Sequence, residues 1–380
     1  MQFPKRFMQE IFNSQNPSEA NEESQLRPAS KKHLASLQHC NVVAHAGETS
    51  MPVVSVVLPF RDAEATLLDA VQSILRQEFR DLELITVDDG SSDGSVASLA
   101  GIADPRFRLI KNQSDQGVVG ASATGLSLAC GEWFARMDAD DLAMPQRIGK
   151  QLNAATDDTG VVTCGVETID CCGDGMRRYV TWANSLIDHD AMSRSRFIEC
   201  PVINPTAMVR RKWMDRVGGY HDTAWAEDHD LWLRLFAAGC QFVRVSDVLL
   251  QWRDSPTRLT RQDPRYGSEA RSQMRAHHLH NLPSVAEHGV AIAGAGPIGK
   301  RLAQDLQNQG VEVKGFFDVN PTRVGQSIHG AEVAAADQME SKWRSSIMLG
   351  AVGLKGARSL VREMAIATGR CEGEDFWAVC

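Results

Sequence analysis

Two carboxylates stand at alternate positions in the run Phe134-Ala135-Arg136-Met137-Asp138-Ala139-Asp140-Asp141. An extended chain points residues i and i+2 to the same side, so Asp138 and Asp140 can offer oxygens to one point in space. Such a pair suits a hard divalent cation, Mg2+ or Mn2+, whose shell is completed by water and by the phosphate oxygens of a nucleotide diphosphate. Asp-x-Asp also arises by chance in loops, so its meaning depends on the elements that carry it.

Those elements read as α/β. Residues 53–58 are a continuous β-branched and aliphatic run closed by Pro59, the pattern of a buried parallel strand. Leu67, Leu68, Val71, Ile74 and Leu75 follow at helical spacing, and residues 82–87 form a second strand that runs into Asp88-Asp89-Gly90-Ser91-Ser92-Asp93-Gly94. Further strands are expected at 107–110 and 133–137, with a small-residue helix over 119–129 between them. Ligands of open α/β sheets bind beyond the carboxyl ends of the strands. Residues 59–62, Asp88-Asp89 and residues 138–141 all fall at such ends, which predicts one nucleotide and metal site.

Composition narrows the function classes. The 380 residues suffice for two domains, and a formal net charge of −8 does not provide the basic field that nonspecific nucleic-acid binding requires. No nucleic-acid partner is expected. Nine cysteines without a spaced framework suit reduced thiols in a cytoplasm, and no Cys/His set has zinc-ligand spacing. No apolar run reaches the ~18 residues of a transmembrane segment, and no secretory signal is read at the start. Residues 1–51 are polar and read as a flexible extension, with one domain over 52–286 and a second over 287–380.

The second domain opens with residues 288–293 leading into Gly294-Ala295-Gly296-Pro297-Ile298-Gly299, then a helix with Ile298, Leu302 and Leu306 and a strand over 311–317 closed by Asp318. Strand, Gly-x-Gly-x-x-Gly, helix, strand and acidic residue form the context that raises this motif above chance. The glycines permit a tight turn and close approach, and the helix N-terminus attracts phosphate. Strands at 346–352 and 376–379 flank a helix at 356–368, giving a small Rossmann-like α/β domain. Gly294, Gly296, Gly299 and Asp318 are the candidate binders of a nucleotide, a dinucleotide or a similar phosphate ligand. The alternative is that these glycines only pack helix on sheet.

Four segments of the first domain resemble family 2 glycosyltransferases, which have the GT-A fold. They are Val56-Val57-Leu58-Pro59-Phe60-Arg61-Asp62, Val87-Asp88-Asp89-Gly90-Ser91-Ser92-Asp93, Ala135-Arg136-Met137-Asp138-Ala139-Asp140-Asp141 and Ala226-Glu227-Asp228-His229-Asp230-Leu231-Trp232-Leu233-Arg234. They occur in the family's order and span most of residues 52–260. The resemblance implies transfer of a sugar, with inversion, from a nucleotide-diphosphate sugar donor to the hydroxyl of a sugar or lipid-linked acceptor. It also implies that Pro59, Arg61 and Asp62 line the base and ribose pocket, that Asp89 binds the base, and that Asp138 and Asp140 face ribose and metal. Departures are Arg61 where an aromatic is usual, Asp62 in place of the common Asn, and Ala123 where an Asn is frequent.

The chemistry also needs a general base. Asp228 lies three residues before Leu231 and four before Trp232, so it opens the inward face of an apolar helical stripe. Spacing alone equally allows acidic residues that merely suit a helix N-terminus. The family's Glu-Asp pair favours Asp228, with Glu227 as second candidate, whereas Asp230 is expected to pair with Arg234 and face water. Asn204 stands in a segment that resembles the acceptor side. Arg253 or Arg258 could bring a guanidinium to the diphosphate, and Trp225 and Trp252 are expected to pack rather than stack on sugar. Cell-surface polysaccharide or glycoconjugate assembly is the expected setting, in the cytoplasm or peripheral at the inner face of the membrane. A noncatalytic sugar-nucleotide sensor or scaffold, and an NAD-binding protein acting through the second domain, are the alternatives.

Overall fold

The computed structural model describes residues 51–113, 117–170, 173–255, 258–354 and 356–380. The expected N-terminal extension lies outside the described residues except for Met51, as do Cys171 and Cys172. The first sheet has eight strands: β1 (Val54–Phe60), β2 (Leu82–Asp88), β3 (Phe107–Lys111), β4 (Trp133–Arg136), β5 (Leu142–Ala143), β6 (Thr159–Ile169), β7 (Met208–Arg210) and β8 (Gln241–Arg253). Their order is β3-β2-β1-β4-β7-β6-β8-β5, in which β1 to β4 run parallel and β7 lies antiparallel to both neighbours.

Every residue of β1 is buried, as expected of a strand covered on both faces by helices. One face packs Val56, Leu58, Leu67, Val71 and Ile74, and the other packs Val57, Ile85, Val119, Phe134 and Trp232. The register sets Phe60 opposite Asp88 and Val57 opposite Arg136. Asp89 N–H then donates to the Phe60 carbonyl at 2.8 Å, and Met137 N–H to the Val57 carbonyl at 3.0 Å. The loops after β1, β2 and β4 therefore leave the sheet at one edge.

The second sheet holds six strands: β9 (Val290–Ala293), β10 (Val313–Asp318), β11 (Ser327–Ile328), β12 (Ala331–Ala335), β13 (Ile347–Gly350) and β14 (Phe376–Ala378). Their order is β11-β12-β10-β9-β13-β14, parallel apart from β11. The pair β11 and β12 escapes the sequence reading because two and five residues broken by Gly330 show no period. The close approach expected of the motif's last glycine is present: a Cβ on Gly299 would lie 1.9 Å from the Gly294 carbonyl.

The two domains share a core. Phe197 and Leu233 of the first domain and Met274 and Leu279 of the helix Ser268–His280 cluster with Val290, Ile292, Leu302 and Trp377 of the second. No described helix is long and apolar enough to cross a membrane.

Candidate active site

A cleft of about 2520 Å³ opens at the carboxyl edge of the first sheet and continues between the domains. Pro59, Arg61 and Asp62 after β1, Asp89 after β2, and Asp138 and Asp140 after β4 all line it. So do Glu227 and Asp228, at the start of the helix Glu227–Ala237, and Asn204, Arg253 and Arg258. The residues singled out in the first domain are therefore brought to one space from loops far apart in the chain.

Local bonds divide these residues into free and committed groups. Asp62 adopts φ +48°, and its Oδ1 accepts from Ser92 N at 2.7 Å, which clamps the loop after β2. Arg61 is exposed and reaches only as far as Asp62, at 3.8 Å. Asp88 Oδ1 accepts from Ser91 N at 2.8 Å, and Asp89 Oδ1 accepts from Asn112 Nδ2 at 2.7 Å. The Asp-Gly-Ser-Ser turn is thus braced from inside, with Asp89 left at the cleft wall.

The acidic loop after β4 crowds three carboxylates into a largely buried setting. Asp138 Oδ1 is held by the buried Arg136 guanidinium at 2.9 Å. Arg136 and Asp138, two apart, share one side of the chain, a signal present in the sequence but missed. Burial, with Asp138 adding repulsion, raises the pKa of Asp140. Asp141 is fully buried and raised well above the ordinary range, chiefly by desolvation and then by Asp140 and Asp138. Its Oδ1 accepts from Arg253 N at 2.8 Å, and its Oδ2 is buried without a partner. Crowded, desolvated carboxylates with an orphaned oxygen fit a divalent cation nearby, although no group of three His, Cys, Asp or Glu poised around one point occurs among the described residues.

The two arginines differ. Arg253 Nε donates to the Asp140 carbonyl at 2.9 Å and its Nη1 pairs with Asp170, so its guanidinium braces the acidic loop. Arg258 lies over the Trp252 ring with its guanidinium carbon 4.0 Å from the centroid, and its Nη1 is buried without a hydrogen-bond partner. Arg258 Nη1 also stands 3.8 Å from the buried Asp254 carboxylate, and its charge acts on both Asp140 and Asp141, which puts a guanidinium beside the acidic loop.

Asp228, at the start of the helix Glu227–Ala237, is half-buried. Desolvation, reinforced by Glu227 and Asp138, pushes its carboxyl up to about 7. Its Oδ1 accepts from His229 N at 2.7 Å. Glu227 is buried, and its Oε2 accepts from Tyr266 O–H at 2.7 Å. Tyr266 was not foreseen, because nothing in its local sequence ties it to a residue 39 positions earlier.

Asp230 corrects the expectation that it faces water. It does pair with Arg234, at 2.7 Å, but it is buried and also accepts from Trp225 Nε1 at 3.0 Å, with His278 Nε2 at 2.9 Å. The helix Ser268–His280 packs over that side of the helix Glu227–Ala237, which sequence spacing could not reveal. Trp225 meets His277 at 5.3 Å between ring centroids and does not line the cleft, whereas Trp252 does.

In the second domain, Pro297, Ile298 and Gly353 line the far part of the cleft. Asp318 is buried, and its oxygens accept from Ala295 N at 2.8 Å, Asn320 N at 2.8 Å and Arg323 Nη1 at 3.2 Å. The carboxylate expected to meet a ligand instead ties the glycine-rich turn to the end of β10.

Comparison with known proteins agrees with this geometry. Residues 55–218 match "Glycosyl transferase family 2" and residues 285–370 match "CoA binding domain". The chain is 30% identical over 213 residues to an uncharacterized glycosyltransferase of Haemophilus influenzae, a match that takes in 53% of this chain and 65% of that one. It is also 30% identical over 225 residues to EpsE of Bacillus subtilis, covering 57% of this chain and 78% of that protein. The crystal structure of S. aureus TarS residues 1–349 in complex with UDP-GlcNAc shares the fold, with a TM-score of 0.52 at 14% identity over 67% of this chain and 71% of that chain. With four motif segments in order, their loops gathered at one edge and a relative this similar over most of its length, the chain belongs to the family 2 glycosyltransferases.

Proposed function

We propose that the chain is a metal-dependent, inverting glycosyltransferase that moves a sugar from a nucleotide-diphosphate donor to the hydroxyl of a sugar or lipid-linked acceptor, in polysaccharide or glycoconjugate assembly. The observation that carries this reading is the convergence of Asp89, Asp138, Asp140 and Asp228 on one cleft from three separate segments. A sugar-nucleotide sensor has no use for a desolvated carboxylate within the electrostatic reach of Asp138. A dinucleotide oxidoreductase leaves the whole first domain without a task, and its ribose-binding carboxylate would have to be Asp318, which is already satisfied.

In this reading Asp89 takes the base, and Asp138 and Asp140 hold Mn2+ or Mg2+ at the donor diphosphate. The bound ion supplies Lewis-acid neutralisation of the leaving group. Arg258 adds a positive charge on the same side. Asp228 removes the proton of the acceptor hydroxyl as that oxygen bonds to the anomeric carbon, and the bond from that carbon to the diphosphate oxygen breaks with its electron pair leaving on the nucleotide diphosphate. A carboxyl with a pKa raised toward neutrality is matched to that task. Glu227, held by Tyr266, is the second candidate for the base. The glycine-rich turn at Gly294, Gly296 and Gly299 is proposed to bind no substrate of this reaction through Asp318.

The direct test is Asp138→Ala. Manganese-stimulated donor hydrolysis and thermal stabilisation by nucleotide diphosphate should both vanish. Stabilisation equal to that of the parent protein would overturn the assignment.

A further inference from the structure

The cleft does not end at the donor site. It runs on between the domains, past Arg271 and Arg275 of the helix Ser268–His280 and past Arg301 and Arg358 of the helices Pro297–Asn308 and Ala357–Ala367. Its two ends carry opposite charge. Acidic side chains crowd the loops of the first sheet, whereas Glu199 is the one acidic side chain among the described lining residues of the interdomain end, where Cys380 also favours the charges of Arg275 and Arg358.

The arginines there are not fully matched. Arg271 pairs with Glu199 at 2.8 Å, and Arg301 reaches outward to Glu269 at 3.3 Å. Arg275 makes no ion pair among the described residues. Its Nη2 donates to the Ile198 carbonyl at 2.6 Å, and its Nε is buried without a partner. Arg358 Nε donates to the backbone oxygen of Cys380. Burial disfavours the Arg275 charge most; Glu199 and Cys380 favour it in part, while Arg271 and Arg358 oppose it. An orphaned donor on a buried guanidinium is costly unless something satisfies it.

Two more features favour a ligand. The strand order of the second sheet reverses between β9 and β13, and the residues that follow those strands, Pro297, Ile298 and Gly353, face the same space. The volume of about 2520 Å³ also exceeds the ~300–1,000 Å³ of a single small-ligand site, leaving room beside the donor.

A short relay joins the basic end to the reacting end. Tyr266 donates to Glu227, the Tyr266 carbonyl accepts from Arg271 Nε at 3.0 Å, and Arg271 holds Glu199. The geometry points to an anion subsite, built by Arg275 and Arg358 and flanked by Arg271 and Arg301, that holds a phosphate or pyrophosphate group of the acceptor. Planar guanidinium forks match phosphate oxygens. The acceptor then lies with its anion between the domains and its hydroxyl toward Asp228. That the occupant is the acceptor rests on the glycosyltransferase reading, but the subsite itself does not.

The test uses the full chain in EDTA, so that metal-dependent donor binding is silent, with inorganic pyrophosphate and geranyl diphosphate as probes in calorimetry. Both should bind the parent protein and Asp138→Ala alike, and binding should weaken at least roughly tenfold in Arg275→Gln and in Arg358→Gln. Arg301→Gln, at the exposed rim, should weaken it less and guards against a folding defect at the buried Arg275. Tighter binding of geranyl diphosphate than of pyrophosphate assigns the anion to a lipid-linked acceptor, and equal binding assigns it to a soluble phosphate-bearing one. Unchanged binding in both Arg275→Gln and Arg358→Gln, no binding to the parent protein, or binding lost in Asp138→Ala would overturn the subsite. Failure of nucleotide diphosphate with manganese to stabilise the protein would instead sink the glycosyltransferase reading, since that measurement does not involve these arginines.

Discussion

Both sheets turn the carboxyl ends of parallel strands toward the same cleft, yet they furnish those ends in opposite ways. After β4 the first sheet sets out carboxylates that the protein leaves partly unsatisfied, with Asp140 and Asp141 raised and an Asp141 oxygen orphaned. After β10 the second sheet places one carboxylate, Asp318, and satisfies it with two backbone N–H groups and Arg323. Topology supplies an edge where ligands can bind, and the local accounting of charge decides which edge does chemistry. Imbalance marks the working end, and a satisfied carboxylate marks a structural joint.

The sharpest way to break this contrast is to remove the imbalance. In Asp138→Ala the loop loses the carboxylate that both pairs with Arg136 and faces the cleft. Transfer should fall on the order of 10²–10³-fold or more, as when a group that stabilises transition-state charge is removed. Chelation with EDTA should reproduce that loss in the parent protein, and the variant should show no further loss with EDTA.

Asp228→Asn comes next, with an expected loss of roughly 10²–10⁴-fold, the usual contribution of a positioned base. Its pH behaviour has a definite sign. A base must be deprotonated, so the parent rate should rise with pH through about 7, and that rise should be absent in the variant. Stability runs the other way. A carboxyl raised in the folded state favours the protonated form, so its contribution is present below the ordinary carboxylate range and is lost as pH rises through about 7. Melting temperatures of parent and variant should therefore diverge between about pH 4 and pH 7, with the variant losing less. Parallel curves would place the titration elsewhere.

Much of the acidic end was legible in sequence because it depends on local rules. The alternation of Asp138 and Asp140, the apolar runs of β1 and β2 and the turn at 88–94 each encode their own geometry within a few residues. What was illegible depends on partners distant in the chain. Asp230 looked like a surface residue until His278, 48 positions on, covered it. Arg275 resembles any helix-surface arginine until its acceptor among the described residues proves to be the Ile198 carbonyl, 77 residues away. The motif gives the position of Asp318 but not its bonds to Ala295, Asn320 and Arg323.

The satisfied edge is tested by Gly299→Ala. A Cβ there would sit 1.9 Å from the Gly294 carbonyl, a backbone atom that cannot swing aside. Overpacking of this kind costs about 1–3 kcal/mol. Because Phe197 and Leu233 share a core with this domain, the loss should appear as a lower midpoint of one denaturation transition rather than as a separate early step. Two resolved transitions would show that the domains unfold independently.

Tyr266→Phe probes the joint between the two ends and carries the smallest expected effect. The hydroxyl is the donor that holds Glu227 Oε2 at 2.7 Å, and its loss leaves a buried carboxylate oxygen unsatisfied at about 1–3 kcal/mol. Rate should fall only about threefold to tenfold, since the reacting groups remain. The informative quantity is the pH profile. Glu227 already raises Asp228, and a Glu227 charge no longer steadied by the tyrosine raises it further, so the rise in rate should move to higher pH. A profile that stays in place while stability drops would reduce Tyr266 to packing and separate the acidic end from the arginines that follow it.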